Sequence, residues 1–489
     1  MRTTAICVLF GFALPGLSQD RAACTPLFGG VTEGNKELVT ELRARYKAQN
    51  EAITIEDSRL RKAVLADWEE LQEDLIESIE HAHFIQGTPM NRLLDSTMNL
   101  LAAQLPGLSS TPRVMLSWYP WPNATTRGEG TVVMNLGMLE RLTTRSELAF
   151  ILGHELAHHH LDHVRRTIEQ VNAKLLSKEF KSELRAVLRE EFDRLAKLEA
   201  LAINFSVNER RHGRNHELEA DSLALRLVQA AGFDPLAGPA VMDILAACEQ
   251  EVYAQQVDLV RALVQGGADP EGDWTREEET SSLGAVDLRN HELEEELKTH
   301  PECGARKLAL LDLLSLPADV DAPGPDSTYL ALRATVSTAI LESALIEEDL
   351  GRAVFVGLHL LANGADNGEV HAGLAIAFDK LLKHARAHKL GEVLAQPHKQ
   401  DSEAYQRTLK MLNRLRIRDH QALASYHLAQ AQELSPGCER SLFAAVIHAA
   451  NGTSAVDLVE AKKAYSDGFP KGRYIDSLAK INLPGAAKR

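Results

Sequence analysis

The sequence predicts a mainly α-helical protein of the α+β class. It has a small β-sheet beside a buried central helix, and a second, wholly helical region after a proline-rich linker. Three observations carry this. Apolar residues recur at helical spacing over most of a chain that is 45% hydrophobic and only 5% aromatic. The period becomes strand-like only between Arg113 and Asn135. Prolines 317, 323 and 325 then punctuate the stretch from Leu316 to Asp326.

Taken in order, residues 1–18 pair a basic residue at position 2 with a short apolar run (Ala5, Val8, Leu9, Phe10, Phe12, Leu14) and small residues at Gly16 and Ser18. This reads as a secretory signal peptide cleaved after Ser18, too short to span a bilayer. A lipoprotein anchored through Cys24 is the weaker alternative, because Arg21 stands where an aliphatic residue is expected. No later stretch reads as long and apolar enough to cross a membrane, so none is expected in the mature chain.

Residues 33–108 read as helices, with Leu60, Val64, Leu65, Trp68 and Leu71 on one face and a second segment from Met90 to Leu105 ended by Pro106-Gly107. Val114–Tyr119 and Thr131–Asn135 read as strands, Pro120–Gly130 between them as a loop, and a helix is expected from Gly137. A strand beside the following helix is a candidate edge for an extended peptide.

The central helix runs from Glu147 to His163. Thr144 and Glu147 form a capping box at its start, and Leu148, Phe150, Ile151, Leu152, Ala157 and Leu161 leave almost no purely polar side, which predicts burial. His154 and His158 lie four residues apart, one turn apart on one face, with Glu155 beside the first. This is the outline of a zinc site in which two imidazoles and a ligand from another helix leave one position for water, and Glu155 takes the water's proton as it attacks a carbonyl. Five residues of this kind also arise by chance, so a second feature has to decide.

That feature is Glu217-Leu218-Glu219-Ala220-Asp221, after a charged helical stretch from His163 to Arg214. Glu217 and Asp221 share a helical face, so Glu217 completes a His-His-Glu set while Asp221 orients a ligand histidine. Ala220 permits close packing, and the helix stops at Gly232 before Asp234-Pro235.

HELAH at 154–158, ELEAD at 217–221 and AGFDP at 231–235, together with Asn123-Ala124, His163, Arg214, Thr299-His300-Pro301 and Arg306, resemble one family. It is the gluzincin family of zinc metallopeptidases that holds the CAAX prenyl proteases, HtpX and the BepA-like periplasmic proteases. The resemblance spans about Met90 to Leu314. It implies a zincin-like fold and one zinc ion held by His154, His158 and Glu217, with Glu155 as general base and Asp221 behind the ligands. It gives His300 one of two roles, stabilising the oxyanion or closing the metal as a fourth ligand.

The resulting division is a metallopeptidase domain over 19–316, with N-terminal helices 33–108 and a catalytic core 113–314, then a linker 317–327 and a helical region 328–489. Within the core, an insert at about 252–298 departs from the family pattern; its Asp269–Glu296 part carries eleven acidic side chains against two arginines and reads as a solvated loop. Ala429, Ala431, Leu434, Ser435 and Pro436 resemble the end of a tetratricopeptide helix pair, which suggests a protein-docking module.

The formal charge of −16 argues against nucleic acid as a partner. Cys24, Cys248, Cys303 and Cys438 could form two bridges with three connectivities open, among them a Cys248–Cys303 bridge at the base of the insert. His159, His160, His212, His216 and His291 show no spacing that adds a site and read as surface or packing residues. The function expected is periplasmic zinc endopeptidase acting on misfolded or outer-membrane envelope proteins. The rival is a chaperone-like or scaffold protein that keeps its metal site and rarely cleaves.

Overall fold

The computed structural model describes residues 34–81, 83–108, 111–127, 129–189, 214–248, 257–269, 303–317, 320–321, 324–396 and 402–482. The signal peptide, Cys24, His300 and most of the acidic insert lie outside them.

Helices α1 (Gly34–Ala52), α2 (Ser58–Glu80) and α3 (Pro89–Ala102) fill the first region. Asp57 caps α2 by accepting from the amides of Arg59 and Leu60, and Thr88 with Asn91 forms a capping box ahead of Pro89 in α3. The expectation of helix alone is corrected by a two-residue strand, β1 (Phe84–Ile85). Such a segment is too short to show alternation and owes its form to pairing with its neighbour.

The sheet has the order β1-β2-β4-β3. β2 (Val114–Ser117) and β4 (Val132–Asn135) are the two strands foreseen, and they pair in parallel with Val114 opposite Val132. β3 (Ala124–Thr126) was expected to be loop; it pairs antiparallel with β4 and forms the outer edge. The pleat sorts side chains by face. Met115 and Val133 join Leu42, Tyr46, Leu75, Ile76 and Ile79 of α1 and α2, whereas Val114, Leu116, Val132 and Met134 enter the main core.

α4 (Leu136–Arg141) leads into α5 (Arg145–His160), buried on nearly every side as predicted. Its capping box forms: the Glu147 amide donates to Thr144 Oγ1 at 3.0 Å, and the Thr144 amide donates to the Glu147 carboxylate at 3.0 Å. α6 (His163–Leu176) and α7 (Lys178–Arg189) occupy the charged stretch. Residues 214–230 form α8, closed by Gly232 at φ 82° with the Phe233 amide returning to Val228 O and the Gly232 amide to Gln229 O. Ala220 is fully buried, and a methyl group on Gly153 of α5 would meet Ala224 of α8 at ordinary contact distance, so these helices pack closely.

α9 (Ala237–Ala246) packs against α5 and against α11 (Cys303–Leu313). Between them in sequence, α10 (Leu259–Gln265), inside the expected insert, touches the C-terminal helices: the Gln265 side-chain amide donates to the Tyr426 hydroxyl at 3.4 Å, and just beyond the helix Asp269 pairs with Arg418 at 2.9 Å. Cys248 and Cys303 are not bridged. Each lends its side chain to the apolar core instead. Cys438 is disulfide-bonded.

From α12 (Ser327–Ile346) onward the described chain is helical, including α13 (Leu350–Ala362), α14 (Gly368–Arg386), α15 (Glu403–Arg414), α16 (Ile417–Leu434) and α17 (Glu439–Asn451). Contrary to the sequence reading, α12 is long and apolar enough to cross a membrane by length and composition. It meets that test because it is a core helix, with 56% of its apolar window buried inside the protein.

Candidate metal centre and active site

α5 presents His154 and His158 from adjacent turns, and α8 brings Glu217 against them. The two imidazole Nε2 atoms are 3.0 Å apart, and the Glu217 carboxylate lies 3.5 Å from the first and 3.3 Å from the second. Among the described residues, these three form the group whose potential ligand atoms all fall within 4.8 Å of one another. Two ligands about 2.0–2.1 Å from one tetrahedral zinc would stand ~3.3 Å apart. The three donors therefore converge at nearly the spacing a zinc ion requires.

The charges around them point the same way. Asp221 Oδ1 lies 2.9 Å from His154 Nδ1, and Arg306 of α11 forks onto both Asp221 oxygens at 2.7 and 2.8 Å while reaching Glu217 at 2.9 Å. Burial alone would lower the pKa of His154, but Asp221 and Glu217 raise it to about 10. Burial likewise opposes ionisation of Glu217, and His154, His158 and Arg306 hold its carboxyl well below the usual range. Among the described residues, Glu155, Glu217 and Asp221 supply three carboxylates here against the guanidinium of Arg306. The balance suits a divalent cation.

Glu155 is almost fully buried and accepts a 2.9 Å hydrogen bond from Thr126 Oγ1 on edge strand β3. That hydroxyl also lies 2.6 Å from the Glu155 carbonyl oxygen. A cavity of about 320 Å³ opens here, lined by Asn123, Ala124, Thr125 and Thr126, by His154, Glu155, His158 and Glu217, and by apolar residues including Met138, Phe150 and Met242. Residues 90–313 match the model of peptidase family M48. The matched segment includes every donor of the cluster and supports a metal-dependent peptidase of the zincin type. No match was found among curated proteins.

The structure brings His154, Glu155, His158, Glu217 and Asp221 of the peptidase-matching segment into one site; His300 lies outside the described residues. The roles of Arg306, Thr126 and His163 went unread. Arg306 figured only as part of a motif, and Thr126 lay in an expected loop. His163 is buried, 3.1 Å from His158 and stacked on the buried ring of His216. Burial pushes the pKa of His163 down to about 4, with Glu219 opposing the shift.

Proposed function

We propose that the protein is a zinc-dependent endopeptidase that hydrolyses peptide bonds of extended polypeptides outside the cytoplasm. The observation that carries this is the convergence of His154, His158 and Glu217, which line one cavity together with Glu155. His154, His158 and Glu217 would hold the ion. A zinc ion in such a set acidifies water and polarises a carbonyl oxygen.

Glu155 is placed to accept the proton of an attacking water and to return it to the departing amine. Thr126 restrains that carboxylate through its hydroxyl. An extended chain laid along β3 as a further strand would carry its backbone past Glu155, because β3 pairs with β4 on one side only and lines the cavity. The bridged Cys438 supports an oxidising compartment, in keeping with a cleaved signal peptide. By resemblance, substrates would be misfolded or outer-membrane envelope proteins, and the C-terminal helices would dock them.

Glu155→Gln tests the reading. The variant should keep one zinc per chain and lose casein hydrolysis by two or more orders of magnitude, roughly the share that general base catalysis supplies. A wild-type chain that holds zinc and leaves casein intact would instead support the non-cleaving, chaperone-like reading.

A further inference from the structure

Two imidazoles of the metal cluster are each held from behind, and they are held differently. His154 Nδ1 meets Asp221 directly at 2.9 Å, with Arg306 locking that carboxylate. Among the described residues, His158 has no carboxylate at its back. Its Nδ1 lies 3.1 Å from Nδ1 of His163, and Nε2 of His163 lies 3.1 Å from Glu219 Oε2.

We infer that His163 and Glu219 are positioning residues for the metal, forming a relay that orients His158 as a ligand. The inference rests on the reading of His158 as a metal ligand.

One placement of hydrogens satisfies both contacts of the relay. A neutral His158 whose Nε2 lone pair faces the cluster carries its hydrogen on Nδ1 and donates it to His163 Nδ1. His163 then carries its own hydrogen on Nε2 and donates it to Glu219. Each bond aligns the next, so the carboxylate acts on the ligand through a second ring. The other tautomer of His158 would turn a hydrogen towards Glu217 and His154 and leave two lone pairs facing each other at 3.1 Å.

The fold builds this relay deliberately. Asp162 takes the left-handed conformation at φ 57°, and this reversal between α5 and α6 returns His163 over His158 only five residues later. His163 is 1% exposed, and its ring is clamped face to face by His216, with centroids 4.2 Å apart and planes 10° apart. His216, Glu217 and Glu219 all come from the start of α8, so one helix supplies a ligand, the clamp and the end of the relay. Glu219 is half exposed and also faces Arg166 at 3.7 Å, which marks it as the weaker member.

The test measures zinc dissociation constants of the full chain by competition with a chromogenic chelator, with melting of the metal-free protein alongside. His163→Leu should weaken zinc binding about 10- to 100-fold, the usual cost of removing a ligand's supporting partner. Glu219→Ala should weaken it by a smaller factor. Glu219→Gln, which still offers an oxygen to His163, should lie close to wild type. The cobalt-substituted His163→Leu and Glu219→Ala proteins should show shifted visible bands, and the metal-free melting temperature of Glu219→Ala should stay unchanged.

His158→Ala separates the two readings. If wild type binds zinc, His158→Ala loses it, and Glu219→Ala and His163→Leu bind as wild type does, the relay is wrong and the metal centre stands. If wild type binds no stoichiometric zinc, or His158→Ala binds as tightly as wild type, the metal assignment fails and takes the relay with it.

Discussion

Arg306 holds together two carboxylates that would otherwise repel. Its guanidinium and Asp221 are both almost wholly buried, so Arg306→Met leaves Asp221 with His154 as its remaining partner, a loss of up to about 3–5 kcal/mol. The expected result is a large drop in the melting temperature of metal-free protein and a smaller drop with zinc present, because the ion restores positive charge beside Glu217. Equal melting of variant and wild type without metal would remove Arg306 from this role. At this scale the sequence pointed to the residues that cluster in the structure. Residues four apart on a helix announce a shared face, so His154 with His158 and Glu217 with Asp221 could be paired before any coordinates. Arg306 could not be placed that way, since it meets Asp221 across 85 residues.

The edge strand depends on how tightly the preceding loop sits on α4. A methyl group on Gly137 would lie 1.9 Å from the Pro120 carbonyl oxygen, a backbone atom that no rotamer change can move away. Gly137→Ala should cost at least about 1–3 kcal/mol of overpacking and displace residues 119–124, lowering the melting temperature and peptide turnover while zinc content is kept. The strand itself was hidden because Ala124, Thr125 and Thr126 lack the continuous apolar run that marked 114–116 and 132–134; backbone pairing with β4 defines it instead.

The C-terminal helices carry a second prediction, in pH. Burial, with a lesser contribution from His371, pushes the pKa of His427 down to about 3, and burial pushes that of His420 down to about 4. Both must fold neutral. Their contribution is therefore whole above the unfolded value near 6.5 and is lost as pH falls from there towards 4. His427→Phe and His420→Leu should flatten the loss of stability over that range in chemical denaturation. His448 works in the opposite sense, since its bond to Asp379 raises its pKa and its contribution fades as pH rises.

The apolar core is continuous from Ile85 of the sheet to Leu478 near the C-terminus. Composition suggested a linker at 317–327 and periodicity suggested short helices from Thr328 onward; neither says which surface covers which. The contact is direct. The Asp326 amide donates to Thr143 O at 3.0 Å, Asp326 pairs with Arg145 at 2.5 Å, and the buried Tyr329 hydroxyl donates to Leu139 O at 2.8 Å. Asp326 thereby caps α12 while gripping the residues that open α5, the helix of His154 and His158. A chain ending at residue 316 would expose the face of α4 that α12 covers and free the start of α5. We therefore expect the full chain to unfold in one calorimetric transition, and the shortened chain to give neither that transition nor stoichiometric zinc. Within the full chain, Tyr329→Phe should cost about 1–3 kcal/mol by leaving a buried carbonyl unpaired, with the loss visible in the same single transition. A shortened chain that melted cooperatively, held zinc and cleaved casein would show that the metal helix is supported from within residues 34–316 alone, and the C-terminal helices would then serve recognition without serving the fold.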